Sequence, residues 1–595
     1  MTAMNEKPAW IRRFTATTIG FPAWGETDPN HLAVVTNRSG AWQVWAHDLG
    51  DGSWRQVSDE PVGVEVAWML PQDGIAWWRD TTGDERGVLV AAPFAGGEPE
   101  TVFPDLPEGW LMGHSFEGGR AAISIEVDGT YRIYVVDADG SPRELAAYAN
   151  AAGVGSLYPT VGGGLSADGA LVCVQHAEHG DILHNALRVF DLSTGAVAGE
   201  LEDKGRNLAP VAWSPVAGDH RLTFASEQGR FERPAIWNLT TGERRDFELD
   251  VPGGAFPVAW FPDASALLVR HDFEGTSQLL RADVATSDVT PLTDLRGDIE
   301  GARIRPDGSI WYAISDSVHP TKILDTTGRT VLESPDAPPP AGRRYASRFA
   351  TNPSGDRVHM FVVTPEGEGP FPTVANIHGG PEWHERDRFD AETQAFVDDG
   401  YAVALINYRG STGYGIEFRE ALIGNVCFTE TEDIIACVDQ LIADGIADPD
   451  RLFWNGWSWG GCLACFNAGT HPDRWRAIFA GIPAGDFVAA HWASAPELQA
   501  WDDAVYGGTP DQVPEKYARS DPMTYVDRVR APILVIAGEA DPRCPIEGVT
   551  PWVDALRARN HPVEVELYPE GHHTNSMEGQ VHHMQLVLDF FDRYR

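Results

Sequence analysis

The spacing of apolar residues divides the chain into two parts. Over residues 21–334, short runs that alternate apolar and polar residues are separated by Gly, Asp and Asn turns, which is typical of β-strands. After a proline-rich stretch at residues 334–340, short continuous apolar runs alternate with segments of helical periodicity. Such runs suit parallel strands that are buried on both faces. The alternation therefore predicts an α/β fold with helices on both faces of the sheet.

The first part contains an internal repeat. Ala212-Trp213-Ser214-Pro215 recurs as Ala259-Trp260-Phe261-Pro262, and with looser copies near residues 167 and 306 the equivalent positions lie 44 to 48 residues apart. A repeat of this length, built from four short strands, is typical of a β-propeller blade. We count about seven units and predict a seven-bladed propeller. An irregular pair of β-sandwiches is the competing interpretation, and the regular spacing favours the propeller.

These patterns predict two domains of mixed β and α/β class. The propeller occupies residues 21–334, a stiff linker covers residues 335–343, and the α/β domain extends over residues 344–595. Residues 1–20 precede the first strand of the propeller as a separate N-terminal segment.

Composition narrows the class of protein. Among the 595 residues there is no apolar run of 18, and the start of the chain lacks the apolar core of a signal peptide. Six cysteines are too few for a disulfide framework in a chain of this length. We therefore expect a cytoplasmic protein without membrane contact. The formal charge of −42 disfavours binding to nucleic acid and is consistent with high solubility. The oligomeric state is left open, and a homo-oligomer is compatible with the sequence.

A candidate nucleophile lies in the second part. Gly456-Trp457-Ser458-Trp459-Gly460 is a Gly-x-Ser-x-Gly pattern between a strand-like run at 451–455 and a helix-like run at 462–468. A serine on a tight strand-to-helix turn is held in a strained backbone and presented to substrate. Because the chain has 61 glycines, the pattern could also arise by chance. A base, an acid and an oxyanion site in the right places decide between the two interpretations.

An acid and a base follow in the order that α/β hydrolases use. Asp541 comes directly after the strand-like run 533–537, and His572 follows the next such run, 563–567. His572 would take the proton of Ser458 and later give it to the leaving group, while Asp541 would fix the imidazole tautomer. His573 is the alternative base, and we favour His572 because it directly follows Gly571.

The oxyanion hole needs two backbone N–H donors. One would be Trp459, immediately after the serine, and the other Gly380, in the His-Gly-Gly-Pro loop at 378–381 that follows a strand-like run. The C-terminal histidines lack a set of carboxylate or cysteine partners, so the sequence predicts no metal site and no cofactor.

Together these motifs resemble the prolyl oligopeptidase family of serine peptidases. The resemblance implies a seven-bladed propeller in front of an α/β hydrolase, with the N-terminal segment packed on the hydrolase. The stretches that carry it are residues 378–381, 407–415, 448–451, 456–461 and 570–572, with Asp541 and Pro545.

Within the family the chain is most similar to the acylaminoacyl-peptidase and dipeptidyl-aminopeptidase branches. The Gly-Trp-Ser-aromatic-Gly-Gly turn is similar to the dipeptidyl form, whereas the His-Gly-Gly-Pro loop resembles the acylaminoacyl form. The propeller lacks the Asp-Trp-x-Tyr-Glu-Glu motif with which the dipeptidyl branch holds a free amine. By position, the resemblance implies that Phe487, and more loosely Trp492, line an apolar pocket for the P1 side chain; both could instead be core aromatics, which is the better interpretation for Trp492.

These residues are compatible with three functions. The first is a serine peptidase that releases N-terminal (acyl)aminoacyl or dipeptidyl units with a hydrophobic P1 residue from short peptides, with the propeller limiting substrate size. The second is an esterase or small-amide hydrolase that uses the same three residues. The third is a propeller interaction protein with an inactive hydrolase half, which an intact set of catalytic residues disfavours.

Overall fold

The computed structural model describes residues 7–137, 140–155 and 162–595. Before residue 333 the named strands pair only in the antiparallel sense. They fall into successive groups of four, and β7 also pairs with β9, which joins the second and third groups into one sheet. The first three groups are β1 (Ala23–Trp24), β2 (His31–Thr36), β3 (Gln43–Asp48) and β4 (Trp54–Gln56); β5 (Ala67–Leu70), β6 (Gly74–Asp80), β7 (Arg86–Pro93) and β8 (Glu100–Thr101); and β9 (Gly109–Glu117), β10 (Arg120–Val127), β11 (Thr130–Val136) and β12 (Pro142–Tyr148).

The later groups repeat the same meander of four strands. They are β13 (Ala152–Val154), β14 (Leu171–His176), β15 (Ala186–Asp191) and β16 (Val197–Leu201); β17 (Leu208–Trp213), β18 (Arg221–Ser226), β19 (Arg233–Asn238) and β20 (Arg244–Asp246); β21 (Gly254–Trp260), β22 (Ala266–Phe273), β23 (Thr276–Asp283) and β24 (Val289–Pro291); and β25 (Asp298–Ile304), β26 (Ile310–Ser315), β27 (Lys322–Asp325) and β28 (Thr330–Leu332).

Each group packs face to face against the next. On β14, Val172 and Val174 belong to one apolar cluster, whereas the alternate residues Leu171 and Cys173 belong to the next cluster along the chain. Because successive side chains of a strand point to opposite faces, an inner strand between two neighbouring sheets is apolar on both. Leu32 and Trp311 share a cluster as well, so the first group packs against the last and closes a ring.

The second part contains one eight-stranded sheet with strand order β29-β30-β32-β31-β33-β34-β35-β36. Strands β29 and β30 are antiparallel to their neighbours, and β32 to β36 run parallel with β31. The strands are β29 (Ala346–Thr351), β30 (Arg357–Val363), β31 (Phe371–Ile377), β32 (Ala402–Asn407), β33 (Ala447–Trp457), β34 (Ala477–Gly481), β35 (Ile533–Gly538) and β36 (Val563–Tyr568).

Helices cover both faces of this sheet, as predicted. Phe396 and Phe591 pack on one face, and Val438 and Phe466 pack on the other. The helices are α1 (Ala9–Phe14), α2 (Ala391–Asp398), α3 (Ile416–Glu420), α4 (Phe428–Ala443), α5 (Trp459–Thr470), α6 (Phe487–Ala493), α7 (Pro496–Tyr506), α8 (Pro514–Ser520), α9 (Ile546–Ala558) and α10 (Met577–Asp592), with a 3-10 helix at Pro522–Arg528. None of the helices among the described residues is long and apolar enough to cross a membrane.

The predicted N-terminal segment falls partly on residues 1–6, which lie outside the described residues. Its remainder includes α1, where Trp10 joins the apolar cluster of the α/β part. Arg13 donates hydrogen bonds to Asp398 at the end of α2 and to the carbonyl oxygens of Pro340 and Ala341. The helix therefore contacts both the α/β part and the proline-rich connection, while the exact domain boundaries stay predictions.

Candidate active site

The central feature of the site is the turn between β33 and α5. Ser458 occupies it with φ +55° and ψ −122°, a conformation that non-glycine residues rarely adopt. Its backbone N–H donates to Gly481 O at 2.9 Å, and its carbonyl oxygen accepts from Cys462 N at 2.9 Å. The strained serine is thus held between the neighbouring strand and the first turn of the helix.

Close packing explains why glycines surround this serine. A Cβ atom at Gly456 would lie 2.3 Å from Gly460 O, and one at Gly460 would lie 2.0 Å from Ile377 O. Both distances are far below van der Waals contact, so a larger residue at either position would push α5 away from the sheet. The sequence pattern Gly-x-Ser-x-Gly therefore reflects a steric requirement in this fold.

The structure brings Ser458, His572 and Asp541 into one hydrogen-bonded chain. His572 Nε2 lies 3.1 Å from Ser458 Oγ, and His572 Nδ1 lies 2.8 Å from Asp541 Oδ2. Asp541 follows β35 and His572 follows β36, which are neighbouring parallel strands, so their loops meet at the carboxyl edge of the sheet. Both side chains are buried.

The environment of Asp541 keeps it ionised. Burial alone would raise the pKa of this carboxyl, but the hydrogen bond from His572 and those from the backbone N–H groups of Cys544 and Arg543 outweigh it and leave the pKa below its ordinary value. An ionised Asp541 accepts the Nδ1–H of His572. The Nε2 lone pair of the imidazole then faces the hydroxyl of Ser458.

His573 occupies a different position from its neighbour. Its ring contacts that of His572 at a centroid distance of 4.6 Å, and it makes no hydrogen bond with Ser458 or Asp541 within the described ranges. The geometry supports the choice of His572 as the base.

The His-Gly-Gly-Pro loop lies against the serine. A Cβ atom at Gly379 would be 3.0 Å from Ser458 Cβ, and Gly380 has φ +118°, where a Cβ atom would lie 2.7 Å from Glu382 N. Tyr408 donates its hydroxyl to His378 O at 2.8 Å and so fixes the start of the loop. The loop can approach Ser458 this closely because Gly379 carries no side chain, while the glycine at 380 allows the chain to turn towards Glu382.

The two predicted oxyanion donors are both free to bind a ligand. Across the described part of the chain, neither the Trp459 nor the Gly380 backbone N–H has a hydrogen-bond acceptor. Trp459 is also the first residue of α5, where unpaired N–H groups and the helix dipole favour negative charge.

Trp459, Phe487 and Trp501 form a group of packed aromatic rings. Phe487 stacks on the Trp459 ring with centroids 6.1 Å apart, and Trp501 of α7 meets the same ring edge-on at 5.5 Å. Trp492, the looser candidate, is 52% exposed, and its ring contacts His491 rather than this group. Sequence reasoning missed Trp501, because its approach to Trp459 depends on how α7 packs.

The propeller contributes residues beside the acid and the base, which sequence reasoning also missed. Glu85 pairs with Arg543, two residues after Asp541, at 2.7 Å. A Cβ atom at Gly83 would lie 2.7 Å from Gly571 N, immediately before His572. Asn575 donates to Val62 O at 2.8 Å. No local motif could have indicated these contacts, since they join residues more than 450 positions apart.

Comparisons with known proteins show which family and which individual proteins the chain is similar to. Residues 387–595 match the model of the prolyl oligopeptidase family. The chain is 31% identical to the acylamino-acid-releasing enzyme of Rattus norvegicus over 219 residues, 36% of this chain and 30% of that enzyme. It is 23% identical to dipeptidyl aminopeptidase BIII of Pseudoxanthomonas mexicana over 611 residues, 92% of this chain and 82% of that protein.

The lengths of the relatives and the fold of a solved structure can also be compared with this chain. The chain spans less than half of the length of several curated relatives that it matches. The crystal structure of a puromycin hydrolase superimposes with a TM-score of 0.84 at 20% identity, covering 99% of this chain and 96% of the other. This likeness confirms the predicted fold class, a propeller followed by an α/β hydrolase.

Proposed function

We propose that this protein is a serine peptidase that hydrolyses short peptides, and the match of residues 387–595 to the model of the prolyl oligopeptidase family supports this proposal. The observation that carries the proposal is the hydrogen-bonded chain from Ser458 through His572 to the buried Asp541. Neutral serine is a poor nucleophile, and a base within hydrogen-bond reach makes it reactive. This arrangement supplies that base.

The reaction would proceed in two halves. Ser458 Oγ attacks the scissile carbonyl while its proton moves to His572 Nε2, and the imidazolium is stabilised by Asp541. The same proton then passes to the leaving amine, and an acyl-enzyme remains on Ser458. Water, deprotonated by His572, attacks the acyl carbon, and the proton returns to Ser458 as the acid product leaves.

The negative oxygen of each tetrahedral intermediate would be bound by the Trp459 and Gly380 backbone N–H groups. Their lack of acceptors within the described structure supports this role. Removal of one such donor typically lowers turnover by about 10²–10³-fold.

The aromatic group beside the serine supports a hydrophobic P1 residue. Phe487 and Trp501 flank Trp459, and aromatic rings packed in this way form an apolar surface for a side chain. Relatives named for releasing acylamino acids and for dipeptidyl aminopeptidase activity support N-terminal (acyl)aminoacyl or dipeptidyl units as products. Contacts between the propeller and the loops of Asp541 and His572 support a closed chamber that admits only short chains.

A fluorophosphonate probe tests the nucleophile and its base. We expect the probe to label the wild-type protein on Ser458, and Ser458→Ala to remove the label completely. His572→Ala should abolish labelling, whereas the matched variant His573→Ala should keep most of it. Labelling of the Ser458→Ala protein, or a greater loss in His573→Ala than in His572→Ala, would contradict the assignment.

A substrate panel tests the reaction class. Free-amine aminoacyl anilides, N-acyl aminoacyl anilides, dipeptidyl anilides and p-nitrophenyl esters are compared on wild-type protein and Ser458→Ala. Turnover of at least one class of anilide supports a peptidase, and the preferred class identifies the product. Turnover of esters alone would replace the peptidase with an esterase. An unlabelled and inactive protein would leave the propeller interaction protein as the function.

A further inference from the structure

A thiol lies directly beside the proposed acid and base. A carboxylate oxygen of Asp541, Cys544 Sγ and an imidazole nitrogen of His572 all lie within 4.8 Å of one another. All three side chains are buried. The Cys544 backbone N–H donates to Asp541 Oδ1 at 3.0 Å, so the loop after β35 fixes the thiol relative to the carboxylate.

The Cys544 thiol takes no part in the proposed hydrolysis. Ser458, His572 and Asp541 account for every proton transfer of the proposed mechanism. A buried thiol at this position therefore calls for a separate explanation.

The three donors suit a particular class of cation. Carboxylate, thiolate and imidazole are the ligands of Zn²⁺ and of related cations such as Co²⁺, and three protein ligands with an open fourth position make a common site. The acidic surface of the protein, with a formal charge of −42, favours the approach of cations. From sequence alone the histidines lacked such partners, since Cys544 and Asp541 join His572 only when β35 and β36 pair.

We propose that Asp541, Cys544 and His572 form an inhibitory site for a thiophilic divalent cation of the Zn²⁺ class. The cation would bind Asp541 Oδ2, Cys544 Sγ and His572 Nδ1, with water in the fourth position. It replaces the thiol proton of Cys544, which passes to water, and the Nδ1 proton of His572, which is exchanged through water for a proton on Nε2, so the ligand is a neutral imidazole and no electron is transferred.

Binding of the cation and hydrolysis exclude each other. The hydrogen bond between His572 Nδ1 and Asp541 Oδ2, now 2.8 Å long, is lost when both atoms bind the cation. Asp541 then no longer stabilises an imidazolium, and His572, bound to the cation through Nδ1 and protonated on Nε2, has no lone pair with which to accept the proton of Ser458. The cation therefore stops the reaction without blocking the approach of substrate to Ser458.

Cobalt absorption tests the site independently of activity, and therefore independently of the proposed function. Full-length Ser458→Ala protein, stripped of metal with a chelator, is titrated with Co²⁺. We expect a near-ultraviolet thiolate-to-cobalt charge-transfer band that is lost in a further Cys544→Ala variant. Cys465→Ala is the control, because Cys465 is also a buried thiol but lies on α5 outside the cluster, and it should keep the band.

Inhibition by Zn²⁺ tests whether binding of the cation stops hydrolysis. Zn²⁺ should inhibit the wild-type protein, EDTA should restore its rate, and Cys544→Ala should need at least about tenfold more Zn²⁺ relative to its own uninhibited rate. Equal inhibition of the two proteins would overturn the proposal. Absence of the cobalt band from the Ser458→Ala protein would overturn it as well, even if Cys544→Ala does not fold.

Discussion

At the scale of single residues, Glu430 is a buried carboxyl beneath the site. It lies on α4 and is fully buried, and neither of its carboxylate oxygens has a hydrogen-bond partner among the described residues. Burial raises the pKa of Glu430 from 4.5 to about 8, and the nearby Trp459 indole acts in the opposite direction. Glu430 is therefore protonated at neutral pH, which avoids a charge in the core next to a predicted oxyanion donor.

Replacement of Glu430 by Gln should change the pH dependence of stability. Between pH 4.5 and 8 the folded protein keeps this proton while the unfolded chain loses it, so the contribution of Glu430 to stability falls as pH rises. The free energy of unfolding of wild type minus that of Glu430→Gln should fall by about 1.4 kcal/mol per pH unit in this window. Urea unfolding at several pH values measures it. A difference that does not vary with pH would show that Glu430 is ionised in the folded protein.

Residues of the site differ in how far the sequence could reveal them. Ser458, Asp541 and His572 follow strand ends in a fixed order, and that order alone predicts that they meet. Glu430 and Trp501 could not be found in this way, because helix packing brings them to Trp459 and no local pattern distinguishes them from other helical residues. Cys544 could not be found in this way either, because its proposed role as a metal ligand depends on its distance from His572.

At the scale of elements, the contact between β31 and the first turn of α5 sets the geometry of the site. The Gly460 Cα lies so close to β31 that an added Cβ would be 2.0 Å from Ile377 O and 2.9 Å from Ile377 C. Backbone atoms cannot rotate away as a side chain can. This contact, together with that of Gly379 against Ser458, therefore sets how close the helix that carries Trp459 lies to the loop that carries Gly380.

Gly460→Ala should push α5 away from β31 and the loop that follows it. Overpacking of a core typically costs about 1–3 kcal/mol of stability, and displacement of an oxyanion donor costs about 10²-fold in turnover. Thermal unfolding and the rate of fluorophosphonate labelling measure both effects. Gly229→Ala is the control, because a Cβ there meets its nearest atom at 3.8 Å. Similar labelling rates for the two variants would argue against this contact as the one that fixes the oxyanion site.

At the scale of the whole molecule, the propeller holds both loops that complete the site. Glu85 pairs with Arg543 beyond Asp541, and Gly83 touches Gly571 before His572. Met577 N donates to Gly40 O at 2.8 Å and ties the start of α10 to the propeller as well. The ion pair is half exposed and worth less than about 1 kcal/mol, so close backbone packing is the stronger constraint. The repeat pattern predicted the propeller, but no repeat could predict which of its turns meets His572.

Gly83→Ala tests whether the propeller positions the base. Gly83 has φ +89°, and its added Cβ would lie 2.7 Å from Gly571 N, so the His572 loop must shift. Gly129→Ala is a matched control in another propeller turn, with φ +76° and no atom within 4 Å of the added Cβ. Both variants carry the strain of a positive φ, about 1–2 kcal/mol, and Gly83→Ala also carries the cost of overpacking against Gly571, so it should be the less stable of the two. Only Gly83→Ala should slow fluorophosphonate labelling of Ser458, by about ten- to 10²-fold, because small displacements of a catalytic group have effects of this size. Equal labelling rates in the two variants would mean that the hydrolase half holds His572 in place without the propeller.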